Sequence, residues 1–170
     1  MRKHHHGRGS FQREDVAEHG KIARRNRWRG LYATEYGLDL NFELDVAEIV
    51  TGILRQFEGG RDFAVMADLD GTTVGSAFVV RHAPGTAKLR LVIVDPQARG
   101  LGIGGHLLAA AIDFARNAGY GSITLWTMQM LTAARKLYAN AGFTLSHSEP
   151  RFAYGRSIVD ETWDLDLTRQ

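Results

Sequence analysis

Between residues 88 and 115 the apolar period of the chain changes from that of a strand to that of a helix, across a segment crowded with glycine. Leu89, Leu91 and Ile93 alternate with Lys88, Arg90 and Val92, which predicts a strand with one face more apolar than the other. Leu107, Leu108, Ala111, Ile112 and Ala115 then recur at helical spacing. Val94-Asp95-Pro96-Gln97-Ala98-Arg99 leads from the first pattern into Gly100-Leu101-Gly102-Ile103-Gly104-Gly105. Glycines lack a Cβ, so the backbone there can approach another group closely. The first amides of a helix have no intrahelical partner and favour negative charge. A diphosphate fits such a place. One or two glycines would read as a tight turn, whereas four glycines at a helix start, behind Arg99, read as an anion site.

Two familiar phosphate motifs do not account for this segment. Gly100, Gly102 and Gly105 satisfy the glycine spacing of a dinucleotide fingerprint. That fingerprint starts at the strand end, but here Asp95 to Arg99 intervene. It also places an acid at the end of the next strand to hold a ribose, where this chain has Trp126-Thr127-Met128-Gln129. No Gly-Lys-Ser or Gly-Lys-Thr occurs, so a Walker A loop is absent.

The rest of the chain reads as one domain from Phe11 to the C-terminus at residue 170, behind a tag or disordered tail at residues 1–10 that contains His4, His5 and His6. Residues 21–28 carry only a weak strand signal. Residues 40–57 place Leu44, Ala47, Val50, Leu54 and Phe57 at helical spacing, which predicts a helix burying that face. Strand-like runs at 63–67 and 73–81 flank Asp70-Gly71, and Pro84-Gly85 leads into the strand from Lys88, which together predict an antiparallel meander. After the helix closed by Gly119 come a short strand at 123–127 and a helix at 132–140, with Ala134, Leu137, Tyr138 and Ala141 on one side. Strands at 144–148 and 158–167 finish the chain. The strand–loop–helix–strand unit from Lys88 to Thr127 favours parallel pairing of its two strands. The sum is an α/β fold, a mixed central β-sheet flanked by helices on both faces.

Composition removes several chemistries. With 0 Cys, disulfide scaffolds, Cys-ligated zinc and cysteine nucleophiles are excluded. With 21 basic and 19 acidic residues the net charge is only +2, a poor basis for nucleic-acid binding. Arg24, Arg25, Arg27 and Arg29 around Trp28 read as a solvated basic segment. No apolar run reaches the roughly 18–20 residues of a membrane span, and the N-terminus lacks the apolar stretch of a signal peptide, so a cytoplasmic location without membrane or nucleic-acid partners is expected.

Gln97-x-x-Gly100-x-Gly102, with its Val94-Asp95-Pro96 lead-in, resembles the Q/R-x-x-G-x-G/A signature of the GCN5-related N-acetyltransferase (GNAT) superfamily. Ala134-Arg135-Lys136-Leu137-Tyr138-Ala139-Asn140-Ala141-Gly142-Phe143 is similar to that family's A-x-x-[LF]-Y-x-x-x-G-F segment. From Tyr32 onward the chain also resembles, more loosely, the acetyltransferase half of proteins that fuse a MarR-type DNA-binding domain to such an enzyme. The resemblance implies a single-domain GNAT-like fold and acetyl-CoA as acyl donor, with no metal.

On that resemblance, the backbone amides of Arg99, Gly100, Leu101, Gly102, Ile103, Gly104 and Gly105 hold the cofactor diphosphate. The strand at Val92 and Val94 bonds the pantetheine arm as an added strand. The strand at 123–127 splays away to make room. The reaction implied is direct transfer of an acetyl group to a primary amine in a ternary complex. Its oxyanion needs an amide donor such as one near Val92, and its departing thiolate needs a proton. Periodicity alone makes Tyr138 helix core; the motif makes it the acid. The chain departs from the family pattern at Leu131, where many members have Asn, and at Gly105-His106, where many have Lys, Arg, Ser or Thr after the last loop glycine.

For the general base, Glu35, Asp95 and Glu149 are candidates by type, with Asp95 better read as fixing the turn before Pro96. Glu35, Tyr36 and Trp126 are the expected acceptor residues, with Tyr32, Met128 and a late loop at Arg151, Phe152 and Tyr154 nearby. A small-molecule amine or amino acid is the expected partner of a monomer or homodimer. An amino acid would need a cation, from Arg81, Arg90 or Arg151. A protein acetyltransferase and a non-catalytic acyl-CoA-binding regulator are the competing functions.

Overall fold

The computed structural model describes residues 10–12 and 30–168. The histidine run, the weak strand signal at 21–28 and the arginines around Trp28 lie outside the described residues. In chain order the elements are β1 (Ser10–Gln12), α1 (Leu31–Tyr36), α2 (Leu40–Gln56), β2 (Phe63–Leu69), β3 (Thr72–Ala83), β4 (Thr86–Val94), α3 (Ile103–Asn117), β5 (Ser122–Met128), α4 (Thr132–Asn140), β6 (Thr144–Ala153) and β7 (Arg156–Asp166). The seven strands form one sheet in the order β1-β2-β3-β4-β5-β7-β6. Ser10, read from sequence as the end of the tail, opens β1 and pairs with Asp68.

The meander forms as the turn residues predict. Asp70 (φ 51°) and Gly71 (φ 75°) both take the left-handed conformation that a two-residue hairpin turn between right-twisted strands requires. β2, β3 and β4 pair antiparallel in succession, and β4 pairs parallel to β5 across the α3 crossover. The α3 stripe is buried at every position expected: Leu107, Leu108, Ala111, Ile112 and Ala115 pack on Val65, Val79, Leu89 and Ile123. Truncating a buried leucine of this kind costs about 2–5 kcal/mol. Gly119 (φ 82°) donates its amide to the Arg116 carbonyl and ends the helix.

Three expectations need correction. The α2 helix buries Phe42 and Ile53, with Val46 and Ile49 half-buried between them, and leaves Leu44 53% exposed. Two stripes of equal period run along this helix, and the sheet covers the one beginning at Phe42. The alternation predicted for β4 holds only to Leu89. At Leu91 (φ 51°) the strand carries an extra residue against β3, whose pairing skips from Phe78↔Arg90 to Ser76↔Ile93. Ala87 and Leu89 lie in the α3 core, Leu91 packs with Ile53 and Phe78 on the α2 side, and Val92 and Val94 return to the α3 side. The bulge thus reverses the faces. Finally, residues 149–153 are strand rather than loop. β6 continues to Ala153 and turns at Tyr154 (φ 54°) and Gly155 (φ 78°) into β7. It is an edge strand with little burial to impose alternation, and an edge tolerates Pro150.

Gly75 sets how closely α3 can lie on the sheet. A Cβ there would sit 2.9 Å from Leu107 Cδ1, 3.1 Å from the Ile93 carbonyl oxygen and 3.2 Å from Ile103 Cγ2. Gly75→Ala is expected to lower stability by about 1–3 kcal/mol through overpacking. Gly52→Ala, on the exposed face of α2 where a Cβ meets nothing within 4 Å, is expected to raise it by about 0.5–1 kcal/mol. Urea midpoints of the two variants check the contrast, and equal midpoints would refute it.

Candidate active site

The sheet opens at its centre. The parallel pairing of β4 with β5 runs from Thr86↔Ser122 to Leu89↔Leu125 and stops. Beyond that point each strand keeps its outer neighbour, β4 pairing with β3 up to Val94 and β5 with β7 up to Met128. The facing edges of the two strands therefore no longer pair with each other past Leu89 and Leu125. The buried Ser76 hydroxyl donates to the Leu91 carbonyl at 3.1 Å and holds the bulge that bends β4 away.

The glycine segment lies at the end of this opening. Asp95 is buried and its carboxylate accepts the Gln97 amide at 2.9 Å, starting one 3₁₀ turn at Pro96–Ala98. This is the turn-fixing role expected of it. Gly100 (φ 79°) and Gly102 (φ 77°) take left-handed conformations that aim the chain into α3. The first helical hydrogen bond is from the His106 amide to the Gly102 carbonyl at 3.2 Å, so the amides of residues 100–105 precede the helical ladder. A Cβ on Gly100 or Gly105 would meet nothing within 4 Å, which leaves open space before them.

The expected phosphate residues divide at this point. The Arg99 amide donates to the Pro96 carbonyl at 3.3 Å, and its guanidinium pairs with Glu35 at 2.9 Å, so Arg99 ties α1 to the loop. A Cβ on Gly104 would come 3.3 Å from Leu137 Cδ2, so this glycine admits close packing of α4. Leu101 is exposed, Ile103 is half-buried, and Val94 packs into the core beside Gly104. The His106 ring lies 3.0 Å from the Gly102 carbonyl.

A cavity of about 260 Å³ occupies the gap. On the α4 side it is lined by Val92, Thr127, Ala134 and Tyr138, while Leu131, just before α4, packs with Phe42 and Met128 toward α2. Tyr138 is buried, with its ring 5.9 Å from that of Phe143, and burial pushes the phenol's pKa well up. On the α2 side the cavity is lined by Tyr32, Phe42, Asp45, Arg90, Trp126 and Tyr154. The Tyr32 and Phe42 rings are 4.6 Å apart, and Phe42 meets Tyr154 edge-on at 5.2 Å. Burial pushes the Tyr32 phenol up to about 12, with Tyr36 adding to the shift.

The structure brings Val92, Trp126 and Tyr138 to one cavity but not Glu35 or Tyr36. Glu35 is engaged by Arg99, and the Tyr36 ring lies tilted against Tyr32 with centroids 5.8 Å apart while its carbonyl accepts from Arg156. Glu149 lies on the exposed edge strand beside His147. The carboxylate that does line the cavity is Asp45, which accepts the Tyr154 hydroxyl at 2.8 Å. Asp45 belongs to the Phe42–Ile49 side of α2, so its position follows once the buried face is known. Among the described residues no cluster of three or more potential ligands could hold a metal ion, and no helix is long and apolar enough to cross a membrane.

This fold, with its central opening and glycine loop, is that of an acyl-transfer family. The family model for the acetyltransferase (GNAT) family matches residues 26–143, and the chain belongs to that family. It is 31% identical to an uncharacterized N-acetyltransferase of Schizosaccharomyces pombe over 114 residues, covering 66% of this chain and 69% of that one. It is 34% identical to the mycothiol acetyltransferase of Sanguibacter keddieii over 86 residues, 47% of this chain, and so spans only 27% of that relative's length. Its fold matches that of yncA from Salmonella typhimurium, solved with its cofactor acetyl-CoA, at a TM-score of 0.71 and 22% identity over 96% of both chains.

The buried phenols predict an alkaline limit. A tyrosine whose pKa is raised by folding contributes stability that is intact below the unfolded value near 10 and is lost as pH rises toward the folded value. The urea midpoint is expected to fall from about pH 10 upward, and to fall less in a Tyr32→Phe, Tyr138→Phe double variant. An equal fall in both proteins would mean that these phenols ionise freely in the fold.

Proposed function

We propose that this chain transfers the acetyl group of acetyl-CoA directly to a primary amine of a small molecule, with donor and acceptor bound together. The observation that carries this reading is one cavity between β4 and β5 lined from both faces of the sheet, with the buried Tyr138 on one side and Asp45 and Trp126 on the other. Family membership and the acetyl-CoA bound in yncA support the donor. The name of the mycothiol relative supports a small acceptor over a peptide.

In this mechanism the amides of residues 100–105 hold the diphosphate through the positive end of α3. The edge of β4 at Val92 and Val94 takes the pantetheine arm in the place that β5 vacates. The oxyanion needs a main-chain donor, and in this reading the amide of Val92, beside the bulge in β4, supplies it. An alkylammonium has no lone pair, so the amine must give up a proton before attack. Asp45 is the carboxylate placed to receive it. Tyr138 then protonates the departing thiolate: burial keeps its phenol in the protonated form that can donate while making it a weaker acid, and its phenolate regains a proton from solvent after the thiol leaves.

Thiol release from acetyl-CoA, measured over a panel of amines, amino acids and lysine peptides, tests this. Small amines are expected to turn over faster than peptides. Tyr138→Phe is expected to lower kcat by about 10²-fold with little change in the KM for acetyl-CoA. Faster turnover of peptides would make the chain a protein acetyltransferase. Tight acetyl-CoA binding with no thiol release on any amine would make it a non-catalytic acyl-CoA-binding regulator.

A further inference from the structure

Two cations on β4 have no anion of their own among the described residues. Lys88 and Arg90 alternate with the core residues Ala87 and Leu89, and their cross-strand partners are Val80 and Phe78. Phe78 and Val80 pack with Ile53 of α2, so Lys88 and Arg90 leave the sheet on the α2 side. Both are half-buried. Among the described residues neither side chain makes an ion pair or a hydrogen bond.

Other arginines near the opening are matched. Arg99 pairs with Glu35, Arg135 with the buried Glu161, and Arg151 with Asp160. Arg81 is tied to Glu58 and Asp62 and is not among the cavity's lining residues. Arg90 lines the cavity, and none of its five donors is claimed by a side-chain contact among the described residues. A guanidinium drawn partly out of water without an acceptor is costly unless a ligand supplies one. Burial lowers the pKa of Arg90, and lowers that of Lys88 with Arg90 adding to the shift. The planar fork of Arg90 suits a carboxylate, and Lys88 behind it strengthens the positive field. Asp45 lines the same cavity from α2 and makes no ion pair with Arg90. With Arg151 already paired to Asp160, the cavity presents one cation without an ion pair among the described residues, Arg90, and one anion, Asp45, on different walls.

Resting on the acetyl-transfer reading above, we propose that the acceptor is a zwitterion, a small α-amino acid or close analogue, with its carboxylate on Arg90 and its amine on the Asp45 side. The charges are complementary in sign and number to such a molecule, and a neutral or purely cationic amine would leave Arg90 unmatched.

Matched acceptors separate this proposal from the reaction it rests on. Free amino acids, their amides and the corresponding decarboxylated amines are compared by thiol release. The wild-type kcat/KM is expected to favour the acid over the amide by about 10²-fold or more. Arg90→Gln is expected to reduce that ratio to within a few-fold, and Arg90→Lys to leave an intermediate ratio, with urea midpoints confirming that both variants fold. Equal rates for acid and amide in the wild type, or a ratio that survives Arg90→Gln in a folded variant, would overturn the zwitterion and leave acetyl transfer standing. If no amine releases thiol, the acetyl-transfer reading has failed. Calorimetry of the CoA-saturated protein then decides the Arg90 site: heat with the acid but not the amide, lost in Arg90→Gln, supports it, and no heat with the acid refutes it.

Discussion

A sheet can admit a ligand through its middle only if two neighbouring strands part while each stays bonded on its other side, and in this chain one extra residue at Leu91 arranges that. Up to Leu89, β4 is held by both β3 and β5; past it, β4 bends with β3 and leaves β5 behind. A β-bulge increases local twist and bends its strand. Leu91 takes a left-handed conformation without being glycine, a strain of roughly 1–2 kcal/mol that the surrounding pairs and the Ser76 hydroxyl must hold. The same residue reverses the faces of β4, so that Arg90 and Leu91 project together toward α2 while Val92 and Val94 return beneath α3. The opening, the cation on one side and the core contacts on the other thus have a common origin.

What was legible in the sequence was legible because it is local. The α3 stripe, the Gly119 stop, the Asp70-Gly71 hairpin and the helix at Thr132–Asn140 each follow from periodicity or turn chemistry within a few residues. The glycine loop was readable for the same reason, since a helix start after a strand needs no tertiary context to leave amides unpaired. The buried face of α2 was not readable, because Phe42-Val46-Ile49-Ile53 and Leu44-Ala47-Val50-Leu54 are equally periodic and only the sheet chooses between them. The bulge at Leu91 has no residue-type signature. Residues 149–153 show no strand alternation because an edge strand with both faces in water has nothing to alternate for. Asp45 and Arg90 depended on two of these unreadable features, and so the acceptor side was harder to infer than the donor side.

The charges are organised unlike those of a simple phosphate-binding site. Arg99, the cation nearest the glycine loop in sequence, is matched by Glu35 and serves to fasten α1. On the proposed reading, attraction of a diphosphate falls to the amides of residues 100–105 and the positive end of α3, whose strength does not depend on a flexible side chain. On the other side of the opening the logic is reversed. The aromatic rings of Tyr32, Phe42 and Tyr154 provide shape without net charge, and the charges that face the cavity are Asp45, Arg90 and Arg151, the last already bound to Asp160.

This division bears on how a reaction between two bound molecules would be controlled. Tyr138 and Asp45 line one cavity from helices on opposite faces of the sheet, so a proton acceptor for the amine and a proton donor for the thiolate need not compete for the same water or neutralise each other. The strands between them are rigid on their outer edges, where hydrogen bonding continues, and open only along the gap. A donor lying in that gap as an added strand would form the floor of the acceptor pocket, completing it when bound. On the proposed reading, the acceptor would then meet a complete pocket only after the donor had occupied the gap.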